Sequence, residues 1–365
     1  MHLRPRRQVT TAGLAICAVA LAACSSSSSS STTSSSTSSS STASGSASAG
    51  NLNGTLNGSG STFQLTYQQA SIQSFKTVQP SMTVNYGGGG SGKGRTDLAA
   101  NVVQYAGSDS TIPDKEKANF KGTVLYFPIL IGPISVAYNL SGVSTLKLTP
   151  EVIADIFQGK ITTWNNSAIT SINPGVSLPS STITIAVRSD SSGTTQNFSL
   201  FLEKAAPNWT LGSSSTIKWP STARAGNGNG GVAQIVKTTP GAIGYVDYAD
   251  AKATGLSSAE VKNKSGNYVA PSPASATAAA DGVTVAPDLT FHAVWASGAQ
   301  AYPVTYQSWV LCYQAQSNSN NAAMLKAYIG YLIGAGQQQL TGLGYAPLPS
   351  SMQQSAQAQL SKIGT

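Results

Sequence analysis

Charged side chains are scarce in this chain: Asp, Glu, Lys and Arg together make up 9% of its 365 residues. The formal surplus of +8 is spread thinly, with no Lys/Arg cluster interleaved with aromatics, so the electrostatic footprint of a nucleic-acid binder is missing. Histidine is scarcer still. Beyond His2 the chain holds only His292, which argues against a histidine-based metal site and leaves any Ser-His-Asp triad one candidate base. Past Cys24 the only cysteine is Cys312, so no internal disulfide can staple the body of the chain. Among Trp309, Val310 and Leu311 it reads as a small buried hydrophobe. The apolar run from Ala12 to Ala23 falls short of the roughly 20 residues a membrane-spanning helix needs.

What is present begins with a targeting segment. Arg4, Arg6 and Arg7 precede that apolar run, so residues 1–23 read as a secretory signal peptide. Leu21-Ala22-Ala23-Cys24 resembles a bacterial lipobox, which implies cleavage before Cys24 and an acyl anchor, diacylglycerol with palmitate-type chains, on its sulfur. A plain signal peptide with an incidental cysteine is the alternative. Removing the three arginines leaves 18 basic against 13 acidic residues, a surplus of about five. Residues 25–42 are unbroken Ser and Thr, followed by Ala, Gly and Ser to Gly50. Such a tract has no apolar surface to offset the entropy of ordering, so 24–50 is expected to be a lipidated residue followed by a disordered tether reaching roughly 30 Å.

The 315 residues from 51 to 365 exceed a comfortable single core. Strand-like runs alternate with helical ones, which predicts α/β with mainly parallel sheets. Met82, Val84 and Tyr86 alternate as in a strand, Thr149-Pro150 marks a helix start that Gly159 closes, and Leu325, Tyr328, Ile329 and Leu332 form a helical stripe. The most informative stretch is Arg188-Ser189-Asp190-Ser191-Ser192-Gly193-Thr194. It follows the alternation Ile183, Ile185, Val187 and opens a segment with Phe198, Phe201, Leu202 and Ala205 at helical spacing. A helix N-terminus presents unpaired N–H groups and partial positive charge to an anion, and Arg188 adds a planar fork of donors. Asp190 would repel an anion unless it holds Arg188 in place. Taken singly, the turn is equally readable as an ordinary cap.

Two further stretches share the design: Gly58-Ser59-Gly60-Ser61-Thr62-Phe63 and Gly87-Gly88-Gly89-Gly90-Ser91-Gly92. The second fits G-x-x-x-x-G-K through Lys93, but Gly94 stands where a nucleotide-binding phosphate loop needs Ser or Thr. Three strand–turn–helix units together point to helix N-termini converging on one anion.

In this combination, with Gly107-Ser108-Asp109, Gly226 to Gly231 and Pro240-Gly-Ala-Ile-Gly-Tyr-Val246, the chain resembles the phosphate-binding lipoproteins of phosphate ABC importers over essentially all of 52–350. The resemblance implies a two-lobe periplasmic-binding-protein-like α/β fold (type II) with the cleft between lobes joined by two crossovers. Lobe I would comprise 51–130 and 302–365, and lobe II 131–301. It implies phosphate binding by Ser61, Thr62, Phe63 and Ser91 from lobe I and by Ser192, Gly193 and Thr194 from lobe II. Arg188 would neutralise charge, Asp190 would orient it, and Asp109 would accept the proton of bound phosphate, which sulfate lacks. Gln64, where proline often follows the Thr-Phe pair, Ser191 in place of a frequent glycine, and Lys93 depart from the pattern. The function implied is extracytoplasmic capture of inorganic phosphate for a membrane permease, with no cofactor, no metal and no catalysis. A phosphate-ester hydrolase on the same scaffold, and a surface adhesin or phosphate sensor, are the other readings.

Overall fold

The computed structural model describes residues 52–365; the signal segment 1–23, Cys24 and the tether to residue 50 lie outside the described residues. Strands come in chain order as β1 (Gly54–Gly60), β2 (Met82–Gly89), β3 (Tyr105–Ser108), β4 (Val124–Tyr138), β5 (Lys147–Leu148), β6 (Thr184–Arg188), β7 (Arg224–Gly226), β8 (Ala242–Asp247), β9 (Ser257–Ser258), β10 (Glu260–Lys262), β11 (Tyr268–Val269) and β12 (Thr305–Tyr313). One sheet runs β2-β1-β3-β12-β4-β8-β6-β7, with β9 on β4, and β11-β10-β5 form a small second sheet.

Pairing is parallel where a helix intervenes between strands, in β1–β2, β1–β3, β6–β7 and β6–β8. It is antiparallel at the centre, in β3–β12, β12–β4 and β4–β8. The sheet is therefore mixed rather than mainly parallel. The cause is β4 and β12, which run side by side in opposite directions. β4 pairs with β12 from Val124 to Pro133 and then with β8 from Ile134 to Tyr138, so one strand serves both flanks of the sheet.

Local sequence accounts for the elements. In β2, Met82 and Val84 are buried while Thr83 and Asn85 are exposed, the period-two pattern of a half-covered strand. In helix Gly193–Ala205 the stripe of Phe198, Phe201, Leu202 and Ala205 is buried, and in helix Ser319–Ile333 so are Leu325, Tyr328, Ile329 and Leu332. Thr149 Oγ1 accepts from the N–H of Val152 at 3.3 Å ahead of Pro150, and Gly159 follows the helix end at φ +73°. Cys312 is a free, fully buried thiol, and burial pushes its pKa up to about 12. Among the described residues no helix is long and apolar enough to cross a membrane.

This architecture stacks helix starts at one edge. Helices Leu65–Phe75, Ser91–Ala99, Gly193–Ala205 and Gly228–Thr238 begin just past the C-terminal ends of β1, β2, β6 and β7. Asp109 directly follows β3. The carboxyl ends of parallel strands are where α/β sheets present ligand-binding loops.

Candidate anion-binding site

The first helix turns supply the donors. Ser192 caps helix Gly193–Ala205, its hydroxyl accepting the N–H of Thr195 at 3.0 Å. The preceding N–H groups, those of Gly193 and Thr194, have no acceptor within the helix and face the loops before it. Gly193 must be glycine: a Cβ there would lie 2.3 Å from Ser91 Oγ and 2.5 Å from Asp109 Oδ2. The loops after β2 and β6 also touch, with the Gly92 N–H donating to the Ser191 carbonyl at 3.0 Å.

Arg188 and Asp190 form a bidentate pair, Nε to Oδ1 at 2.7 Å and Nη2 to Oδ2, with side chains 1% and 8% exposed. The Gly228 N–H also donates to Asp190 Oδ1 at 3.1 Å. Burial pushes the Asp190 carboxyl up, but Arg188 and this N–H outweigh it, so the carboxyl stays below its usual range. Arg188 is thus oriented by a neighbouring anion, with Nη1 turned to Thr194 Oγ1 at 3.2 Å.

Two threonine hydroxyls receive donors from Asn229. Asn229 presents Oδ1 to the Asp247 N–H at 3.1 Å, which only an oxygen can meet, so its Nδ2 faces Thr62 Oγ1 at 3.1 Å and Thr194 Oγ1 at 3.3 Å. Thr62 Oγ1 also accepts the Asn229 N–H at 3.2 Å, and Thr194 Oγ1 that of Tyr306 OH at 3.2 Å. With both lone pairs occupied by Asn229, Thr62 has its proton left for a ligand, whereas Thr194 Oγ1 faces three donors, Arg188 Nη1, Asn229 Nδ2 and Tyr306 OH, more than its two lone pairs can accept.

Asp109 is the acceptor in this ring of donors. It is buried and receives Ser61 Oγ at 2.6 Å, Ser91 Oγ at 3.2 Å and Ser308 Oγ at 2.5 Å. The Phe63 N–H donates to Ser61 Oγ at 3.0 Å and the Asp109 N–H to Ser91 Oγ at 3.2 Å, so each hydroxyl has its proton to spare for the carboxylate. Nearby, Tyr345 OH lies 2.7 Å from the Phe63 carbonyl and 2.6 Å from Asp247 Oδ2. One hydroxyl carries one proton, so both contacts are satisfied when Asp247 is itself protonated, and burial does raise its carboxyl well above the usual value.

The structure therefore gathers Ser61, Thr62, Phe63, Ser91, Asp109, Arg188, Asp190, Ser192, Gly193 and Thr194 into one cluster. Asn229, Asn197, Tyr306 and Ser308 join it without having been singled out in the sequence. Asn197 Nδ2 donates to the Asp109 carbonyl at 2.7 Å. Of these, only Asn229 lay in a segment already distinctive, Gly226 to Gly231. Lys93 stays outside the cluster, 54% exposed and paired with Asp97 at 2.6 Å. Among the described residues no group of His, Cys, Asp and Glu is arranged to hold a metal.

Comparison with known proteins places this two-flanked sheet in a recognised class. A model of the PBP superfamily domain matches residues 29–335. Phosphate-binding protein PstS of Pasteurella multocida (strain Pm70) is 34% identical over 311 residues, covering 84% of this chain and 89% of that one. Phosphate-binding protein PstS 3 of Mycobacterium leprae (strain TN) is 32% identical, covering 81% and 84%. The solved structure of a high affinity periplasmic phosphate-binding protein, PfluDING, superposes with a TM-score of 0.70 at 22% identity over 84% of this chain and 93% of its own. The chain belongs to the PBP superfamily and, within it, to the family of the PstS phosphate-binding proteins.

Proposed function

We propose that this chain captures inorganic phosphate outside the cytoplasm and delivers it to the permease of a phosphate ABC importer. The observation that carries the reading is the sorting of hydrogen-bond roles. Thr62 and helix N–H groups are held as donors around one buried acceptor, Asp109. An oxyanion that brings its own proton matches both roles; one without a proton meets Asp109 as an unpaired, repulsive contact. Arg188 is half neutralised by Asp190, so the anion is held largely by dipoles, a set suited to binding and release rather than to bond cleavage.

Membership of the PstS family supports the transport role, since the relatives are named as binding proteins and not as enzymes. We keep the lobe boundaries at 130/131 and 301/302, within a few residues of where β4 and β12 stop pairing with each other and β4 turns to β8. The phosphate would then lie between Thr62, Ser91 and Asp109 of one lobe and Arg188, Gly193 and Thr194 of the other. Anchoring through a lipid on Cys24 fits the sequence before it: Cys24→Ala is expected to move the protein from the membrane fraction to the medium. Calorimetric titration of the phosphate-depleted protein is the main test. Tight one-to-one binding of phosphate without a sulfate signal is the expected result; tight sulfate binding would overturn the ligand, and no binding of either would overturn the capture role.

A further inference from the structure

Asp109 is also wired to a buried chain of side chains that reaches the far side of helix Leu65–Phe75. Tyr328 OH donates to Gln68 Oε1 at 2.7 Å, Gln68 Nε2 to Gln64 Oε1 at 2.7 Å, Gln64 Nε2 to Ser308 Oγ at 2.8 Å, and Ser308 Oγ to Asp109 Oδ1 at 2.5 Å. All five residues are buried.

The direction of this chain is fixed by one backbone group. Gln64 Nε2 also donates to the Trp309 carbonyl at 3.1 Å, an atom that can only accept. The amide of Gln64 cannot be turned over without setting two carbonyl oxygens against each other, so its Oε1 must face Gln68. That in turn requires Gln68 to offer Nε2 and to receive the Tyr328 proton on its own oxygen. At the other end Ser308 spends its lone pair on Gln64 and has its single proton for Asp109. Gln64 and Gln68 are one helical turn apart, which places them in register for this contact.

We propose that Ser308, polarised by the Gln64–Gln68–Tyr328 relay, is a specificity-determining positioning residue that holds Asp109 as an ionised acceptor and so makes the site demand a protonated oxyanion. The inference rests on the phosphate reading above. Burial pushes the Asp109 carboxyl up, and of the groups that pull it back Ser308 is the strongest, ahead of Ser61, Ser91 and the charge of Arg188. The other ionisable groups whose charge reaches Asp109 are Tyr86, Tyr306 and Asp247. Burial raises both phenols well above 10 and the Asp247 carboxyl well above its usual value, and none of the three is hydrogen-bonded to the Ser308 side chain. A difference between the profiles of wild type and a Ser308 variant therefore reports on Asp109.

The test is phosphate and sulfate titration of the full-length chain, purified in detergent and freed of phosphate, from pH 5 to 8.5 for wild type, Ser308→Ala, Ser308→Thr and Gln64→Leu. Losing one hydrogen bond to a carboxylate is expected to move the acid limb of the phosphate-affinity profile up by about one pH unit in Ser308→Ala. The phosphate-to-sulfate affinity ratio at pH 6 should fall about tenfold. Ser308→Thr, which keeps the hydroxyl, should restore both, and Gln64→Leu should shift both in the same direction by less. A uniform loss of affinity with profile and ratio unchanged, or a Ser308→Ala protein indistinguishable from wild type, would overturn the relay and leave phosphate capture standing. Wild-type protein that binds neither anion would overturn the capture reading itself.

Discussion

Arg188 and Asp190 are almost sealed from solvent, and neither charge could stay there alone. Removing one partner of a buried pair costs roughly 3–5 kcal/mol because the other remains uncompensated. Arg188→Ala is therefore expected to lower stability by about 3 kcal/mol and phosphate affinity by two orders of magnitude or more. Pairing it with Asp190→Ala should recover much of the stability and none of the affinity. Denaturant melts alongside calorimetry read the two effects separately, and an affinity that recovers with stability would remove Arg188 from the ligand. Gly193 makes a sharper case. A methyl group at that position meets Ser91 and Asp109 across the site, so Gly193→Ala should abolish tight phosphate binding while the melting temperature moves by only a few degrees. Residue identity was legible in the sequence where local backbone demands set it. Gly94 is the opposite case: the sequence marks it only as a departure from the nucleotide-binding phosphate loop, and what requires glycine there is the close approach of β1, since a Cβ would lie 2.7 Å from the Ser59 carbonyl. The bidentate grip of Asp190 on Arg188 was legible, being a contact between residues two apart.

At the scale of the element, apolar spacing and caps foretold the helices and strands that flank the site, since these depend on neighbours within a turn or two. The partners of the site are another matter. Asn229 meets Thr62 across 167 positions and Ser308 meets Asp109 across 199, and no local pattern marks an Asn or Ser for such contacts. Only the crossing of β4 and the return of β12 bring them together. Helix Tyr248–Thr254 carries a consequence of the same burial. Asp250 lies in its first turn, and desolvation raises its carboxyl to about 6 although the charge of Arg188 pulls it down. Unfolded Asp titrates near pH 3.9, so as pH rises from about 4 to 6 the unfolded chain gives up its proton first and stability falls. At 1.36 kcal/mol per unit the loss at pH 7.5 is about 3 kcal/mol, against which a carboxylate at a helix N-terminus contributes up to about 1. Asp250→Asn should thus stabilise the protein by about 2 kcal/mol at pH 7.5 and by little at pH 3.5. Thermal melts at both values check it, and an equal gain at both would assign the effect to something other than ionisation.

Across the whole molecule, the flank of the sheet built on β1, β2 and β3 and the flank built on β6, β7 and β8 share one buried apolar cluster that runs through β4 and β12, and around the site they meet through polar contacts. Thr62 with Asn229, Gly92 with Ser191 and Asp109 with Asn197 are side-chain or backbone hydrogen bonds, which water can replace at small net cost. An interface of this kind can open as a hinge, and β4 with the stretch before β12 provides two connections about which it would turn. A ligand that binds only the closed form shifts that equilibrium by its differential affinity, and each lost cross-contact raises the ligand concentration required. Asn229 is the contact to remove, because it bridges Thr62 and Thr194 at once without carrying charge. Asn229→Ala is expected to raise the phosphate concentration needed for closure about tenfold to a hundredfold. Small-angle scattering should show a larger radius of gyration without phosphate than with it in both proteins, and the same compact value for both at saturating phosphate. A radius that does not change with phosphate in wild type would mean that the flanks do not separate. Asn229 would then act on the anion through the two threonine hydroxyls alone.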